Sequence, residues 1–182
     1  MNRTRLMTIM ALFVAIGVLG SQFIWFPAGI AKAYPVQHAV NVPAAVLLGT
    51  TPAVIIAFLI SFIRVMLGLG SLLAFPGSMI GAFLAGILYK FFKKKRYAGL
   101  GEVVGTGIIG ALFAIPYAKI LMGTSFGAFF FIPPFLISSL AGTLIALFIL
   151  GRLYDHRYVF NRYINKENDK NGSINSRTNQ GT

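Results

Sequence analysis

Apolar runs close to 20 residues long recur along this chain, at Leu6 to Phe26, Phe75 to Phe92, Leu100 to Ile120 and Phe129 to Leu150. Coiled as an α-helix, about 20 residues cover the roughly 30 Å of a bilayer's hydrocarbon core. Lipid offers no partner to a backbone N–H or C=O, so such runs must close their own hydrogen bonds as helices. Of the 182 residues, 57% are hydrophobic and 11% charged, against an apolar share of about 45–50% in soluble domains. The fold class expected is an all-α, multi-pass membrane protein.

The net charge of +12 would suggest nucleic acid in a soluble protein. Here 13 of the 16 Lys and Arg sit at Arg3 and Arg5, at Lys90 to Arg96, and from Arg152 onward. Clusters that flank apolar spans follow the positive-inside bias and point to anionic lipid, so no nucleic-acid partner is expected. MNRTR and Ala31-Lys32-Ala33 imitate the ends of a secretory signal. The 21-residue run between them is longer than the 7–15 or so residues of a signal's apolar region, so it is expected to be the first membrane helix.

Parity sets the number of spans. Between the first two clear runs lies an apolar stretch from about Val36 to Gly70, broken by Pro43, Pro52 and Gly49-Thr50-Thr51. If the N-terminus and the Lys93 to Arg96 loop are both cytoplasmic, an even number of crossings separates them. The stretch is therefore expected to split at the Gly49 to Pro52 turn, giving six transmembrane helices with both termini inside. The expected domains are residues 1–154, the membrane part, and 155–182, a basic and disordered cytoplasmic tail. This arrangement puts Lys32, Arg64 and Lys119 on the outer side and no acidic residue there, with Glu102 at the inner edge.

Gly105-Thr106-Gly107-Ile108-Ile109-Gly110 matches a dinucleotide-binding pattern, which works only where a strand turns into a helix. Inside an apolar span these glycines are expected to be helix contacts. No P-loop motif occurs, so ATP hydrolysis would need a partner. His38 and His156 fall on opposite sides of the expected topology and no acid accompanies His38, so no metal, cofactor or enzyme activity is expected. Gly77, Gly81 and Ala85 form a small-residue stripe suited to internal packing, as do Ala11 and Ala15, which equally suit a docking partner near the cytoplasmic face. Arg64 is either a functional cation at membrane depth or a snorkelling one.

An unusual set of residues gathers on the outer side: Trp25, Tyr34, Gln37, His38, Asn41, Phe75, Pro76, Ser78, Tyr117, Phe130 and Pro133. Aromatic walls with a few polar groups suit a small-ligand pocket. An interfacial belt explains Trp25 and Tyr34 as well, but not Gln37, His38 and Asn41, which need hydrogen-bond partners from a ligand or a neighbouring helix. If a helix starts near Val36, these three fall within about one turn of each other.

YPVQHAVNVPAAVLLG, SFIRVMLGLGSLLAFPGSMIGAFLAGILYK and GEVVGTGIIGALFAIPYAKILMG resemble the ThiW family, thiazole-type substrate-binding S components of energy-coupling factor (ECF) transporters. The resemblance covers roughly Leu6 to Leu150. It implies a six-helix S component in a bacterial cell membrane that captures hydroxyethylthiazole, a thiamine precursor, from outside. Delivery would require a membrane T protein and two ABC ATPases. It further implies a T-protein contact at Ala11 and Ala15, and a ligand held among Tyr34 to Asn41, Phe75 to Ser78, Tyr117 and the start of the sixth helix. A neutral thiazole alcohol agrees with the expected lack of an outer acid. Another small neutral or anionic precursor, or a membrane scaffold or channel subunit, would fit the same residues.

Overall fold

The computed structural model describes residues 3–28, 31–123 and 130–153, so the tail expected over 155–182 lies outside the described residues. Helix α1 (Arg3–Phe23) buries one stripe, Val14, Gly17, Val18 and Ser21, while Met7, Leu12, Ile16, Leu19 and Phe23 stand exposed. A helix that leaves so much large apolar surface open is suited to lipid, not water. A short antiparallel hairpin follows, β1 (Phe26–Ala28) against β2 (Ala31–Ala33), with Phe26 opposite Ala33. The otherwise helical expectation did not include it, because three-residue strands leave no periodic signal.

Helix α2 (Pro35–Leu48) opens with a proline, whose missing N–H costs nothing in a first turn. Eleven of its residues are buried, from Pro35 through Val46, so this element faces protein on nearly every side. A single residue, Gly49, joins it to α3 (Thr50–Met66). Gly49 sits at φ 95°, a region in which a Cβ is strained. Gln37, twelve residues before Gly49, hydrogen-bonds Ser61, twelve after it. The chain therefore folds back at the glycine, as the sequence reading expects for this stretch.

Helix α4 (Ala74–Phe92) packs on a rod made of α5 (Lys95–Val104), a π-helical turn (Gly105–Gly110) and α6 (Ala111–Met122). The backbones touch where Gly81 meets Gly105 and Gly77 meets Gly110, so added side chains on either partner would force them apart. The GTGIIG stretch is thus a helix contact, and the stripe of Gly77, Gly81 and Ala85 is internal packing. The rod starts five residues earlier than the expected Leu100, which matters for Glu102. The final helix, α7, runs Phe130–Leu153.

Among the described residues, four helices can cross a membrane by length and composition: α1, α4, the rod over Lys95–Ile120, and α7. With 14 residues α2 is about 21 Å long, and with 17 residues α3 is about 26 Å, both under a bilayer core of about 30 Å. Met1–Leu147 form one compact unit and Phe148–Thr182 another. In the described part of the second, the Arg152 guanidinium lies 5.4 Å from the centre of the Phe148 ring.

Candidate ligand-binding site

A cavity of about 370 Å³ opens within the first unit, inside the range of about 300–1,000 Å³ typical of small-ligand sites. Helix α2 contributes Gln37 and His38, α3 contributes Arg64, and α4 contributes Ala74, Gly77 and Ser78. The π turn adds Thr106, and α7 adds Phe130, Phe131, Pro134, Phe135 and Ser138. The α7 residues recur at helical spacing, so one face of that helix forms an aromatic wall. Lys32 and Tyr34 lie on the hairpin side, and the Tyr34 N–H donates to Ser138 Oγ at 2.9 Å.

The polar floor centres on Glu102. Its side chain is fully buried, and a single oxygen, Oε1, takes contacts from His38 Nδ1 at 2.7 Å, Asn41 Nδ2 at 3.0 Å and Thr106 Oγ1 at 3.2 Å. This overturns two sequence expectations, that Glu102 lies at the inner edge and that no acid accompanies His38. The rod begins at Lys95, which sets Glu102 seven residues, about 10 Å, inside it. There it lies close against Gly81 of α4 and meets His38 and Asn41 of α2. Asn41 also donates to Ser78, at 3.3 Å to the carbonyl and 3.2 Å to Oγ.

A second cluster surrounds Arg64, which is 2% exposed. Its Nη1 donates to Gln37 Oε1 and its Nη2 to the Leu69 carbonyl at 3.2 Å, while the guanidinium stacks 4.0 Å from the centre of the Tyr34 ring. Gln37 is fixed in turn by donating to Ser61 Oγ at 3.2 Å. A guanidinium folded into a cavity wall does not snorkel, so the snorkelling reading of Arg64 fails. The partners that Gln37, His38 and Asn41 need come from neighbouring helices, with His38 still lining the cavity.

Of the residues singled out in the sequence, Tyr34, Gln37, His38, Arg64, Ser78 and Phe130 line one cavity. Asn41 sits one layer beneath, wholly buried. The other five lie elsewhere: Pro76 is buried within α4 and Pro133 is exposed on α7. Trp25 is 45% exposed under the Lys32 ammonium, Phe75 packs its ring 5.6 Å from that of Phe58, and Tyr117 is 40% exposed. Sequence reading missed Glu102 and Thr106, as well as Phe131, Pro134, Phe135 and Ser138. The spacing of the last four on one helical face was available in FFFIPPFLISS; nothing in the sequence paired Glu102 with His38.

The arrangement offers a ligand a hydrophobic slot, a fixed imidazole, a fixed guanidinium and small hydroxyls. It contains no side chain arranged as an activated nucleophile among the described residues. A family model described as thiamine-precursor transporter protein (ThiW) matches residues 7–156. No curated protein and no solved structure matches the chain.

Proposed function

Because the chain belongs to the ThiW family of thiamine-precursor transporters, we propose that it is the S component of an ECF-type importer and that its cargo is hydroxyethylthiazole. The family is one of transporters, not enzymes. The observation that carries the cargo reading is the pairing, in one cavity of about 370 Å³, of an aromatic wall with His38 and Arg64. A thiazole ring suits the slot between Phe130, Phe131 and Phe135. Its hydroxyl suits the imidazole, and its ring nitrogen, an acceptor, suits the guanidinium.

Glu102 lies one layer beneath the cavity, against His38 and Asn41. Among the described residues that line the cavity, Arg64 and Lys32 are cationic and none is acidic, so a ligand with a fixed positive charge would be repelled.

In this proposal residues 1–154 are the binding domain, crossing a bacterial plasma membrane six times with both termini inside, and residues 155–182 are a cytoplasmic tail. The short α2 and α3 make the second and third crossings, covered by longer neighbours. Ala11 and Ala15 stand exposed on α1, open to a T protein that two ABC ATPases drive. Mass spectrometry of small molecules released from gently purified protein tests the cargo. A thiazole alcohol is expected; a different metabolite would replace this cargo with another precursor.

A further inference from the structure

We infer that the Ser78 carbonyl, Asn41 and Glu102 form a relay that fixes which nitrogen of His38 carries hydrogen, so that the cavity selects a ligand offering a hydrogen-bond donor. The inference rests on the reading of this cavity as the cargo site, and it deepens that reading by naming the residues that set the polarity of recognition.

The relay starts from a group that cannot change its role. A backbone carbonyl only accepts, so the Asn41 atom 3.3 Å from the Ser78 oxygen is the amide nitrogen, Nδ2. The same nitrogen lies 3.0 Å from Glu102 Oε1 and must donate there too. Glu102 Oε1 therefore acts as an acceptor toward Asn41, while the single hydrogen of the Thr106 hydroxyl is taken by the Gly77 carbonyl at 3.1 Å. Receiving the Asn41 hydrogen, Oε1 faces His38 as an acceptor as well. The 2.7 Å contact is thus an N–H of His38 Nδ1 donating to the carboxylate.

That leaves Nε2 as the remaining nitrogen of a side chain that lines the cavity. With the imidazole neutral, Arg64 and Glu102 balance as the buried charges among the described residues. Charging His38 as well would leave the interior with an excess cation, which a low-dielectric site opposes. Neutral and hydrogen-bearing at Nδ1, His38 presents a lone pair at Nε2. The group that completes it is an O–H or N–H. An ether, a carboxylate or a phosphate dianion brings only acceptors and leaves Nε2 unpaired. Glu102 and Asn41 act through His38 and are positioning residues.

The test has two arms. In protein with ¹⁵N-labelled histidine and His156→Gln, His38 is the one labelled ring, since the chain holds two histidines. The ligand-free ¹⁵N spectrum is expected to show a protonated Nδ1 and a bare Nε2. A bare Nδ1, or hydrogen on both nitrogens, overturns the relay. This arm needs no cargo, so it decides the relay even if the thiazole reading fails.

The second arm titrates hydroxyethylthiazole and its methyl ether, which differ in the one donor. The unsubstituted chain is expected to prefer the alcohol by roughly tenfold or more. Glu102→Gln keeps an acceptor oxygen facing His38 and Asn41 and is expected to retain the preference. Glu102→Leu frees the ring to take either form and is expected to bring the two ligands to within about threefold. Equal affinity for alcohol and ether in the unsubstituted chain overturns the inference. So does a Glu102→Leu protein that loses affinity for both ligands alike, because a merely structural role predicts that result. Failure of both ligands to bind the unsubstituted chain removes the thiazole reading and, with it, the selection, while leaving the relay to the spectrum.

Discussion

Arg64 makes its hydrogen bonds to two uncharged oxygens, those of Gln37 and Leu69, and stacks on Tyr34. A guanidinium can serve both oxygens and the ring at once because it is planar and forked, whereas an ammonium cannot. Arg64→Lys is therefore expected to keep the charge yet lower stability by about 1–3 kcal/mol, since buried Gln37 Oε1 loses its donor. The check is the midpoint of thermal unfolding in detergent; an unchanged midpoint would mean the fork is not engaged. Gln37, His38 and Asn41 could be picked out in the sequence because polar groups in an apolar chain must be satisfied somewhere. Which groups satisfy them could not be. Glu102 meets His38 across 64 positions of sequence, and the contact depends on where the rod starts and how closely α4 approaches it.

At the scale of elements, Gly49 turns one apolar stretch into two antiparallel helices. Its φ of 95° is strained for any residue with a Cβ, while no atom crowds the space beside it. Gly49→Ala is thus expected to cost about 1–2 kcal/mol through backbone strain alone, again read from thermal unfolding. A loss near zero would show that the turn can relax. Proline and glycine punctuation made this break visible in the sequence. The π turn was not visible, because six residues of GTGIIG read equally well as α-helix, yet it carries Thr106, which lines the cavity. Gly142 on α7 has a related role: a Cβ there would strike His38 Cβ and the Pro35 carbonyl, so a side chain would push the start of α2 out of place.

For the whole molecule, the proposed six crossings put Lys32 outside and Lys94 inside. The sequence contains no cysteine, so single substitutions report without background. Lys32→Cys is expected to react with an impermeant thiol reagent in intact cells and Lys94→Cys only after permeabilisation; the same pattern at both sites would contradict the topology. Ala15→Trp on the open face of α1 is expected to abolish uptake while leaving cargo affinity within about twofold, through a steric wedge at the T-protein contact. Loss of binding as well would place that face inside the working protein. The most direct test of the account is a calorimetric titration of purified protein with hydroxyethylthiazole, repeated on His38→Ala. Saturable binding that weakens by roughly tenfold or more in the variant is the result expected. Equal affinity in the two proteins would contradict the assignment of this cavity as the cargo site.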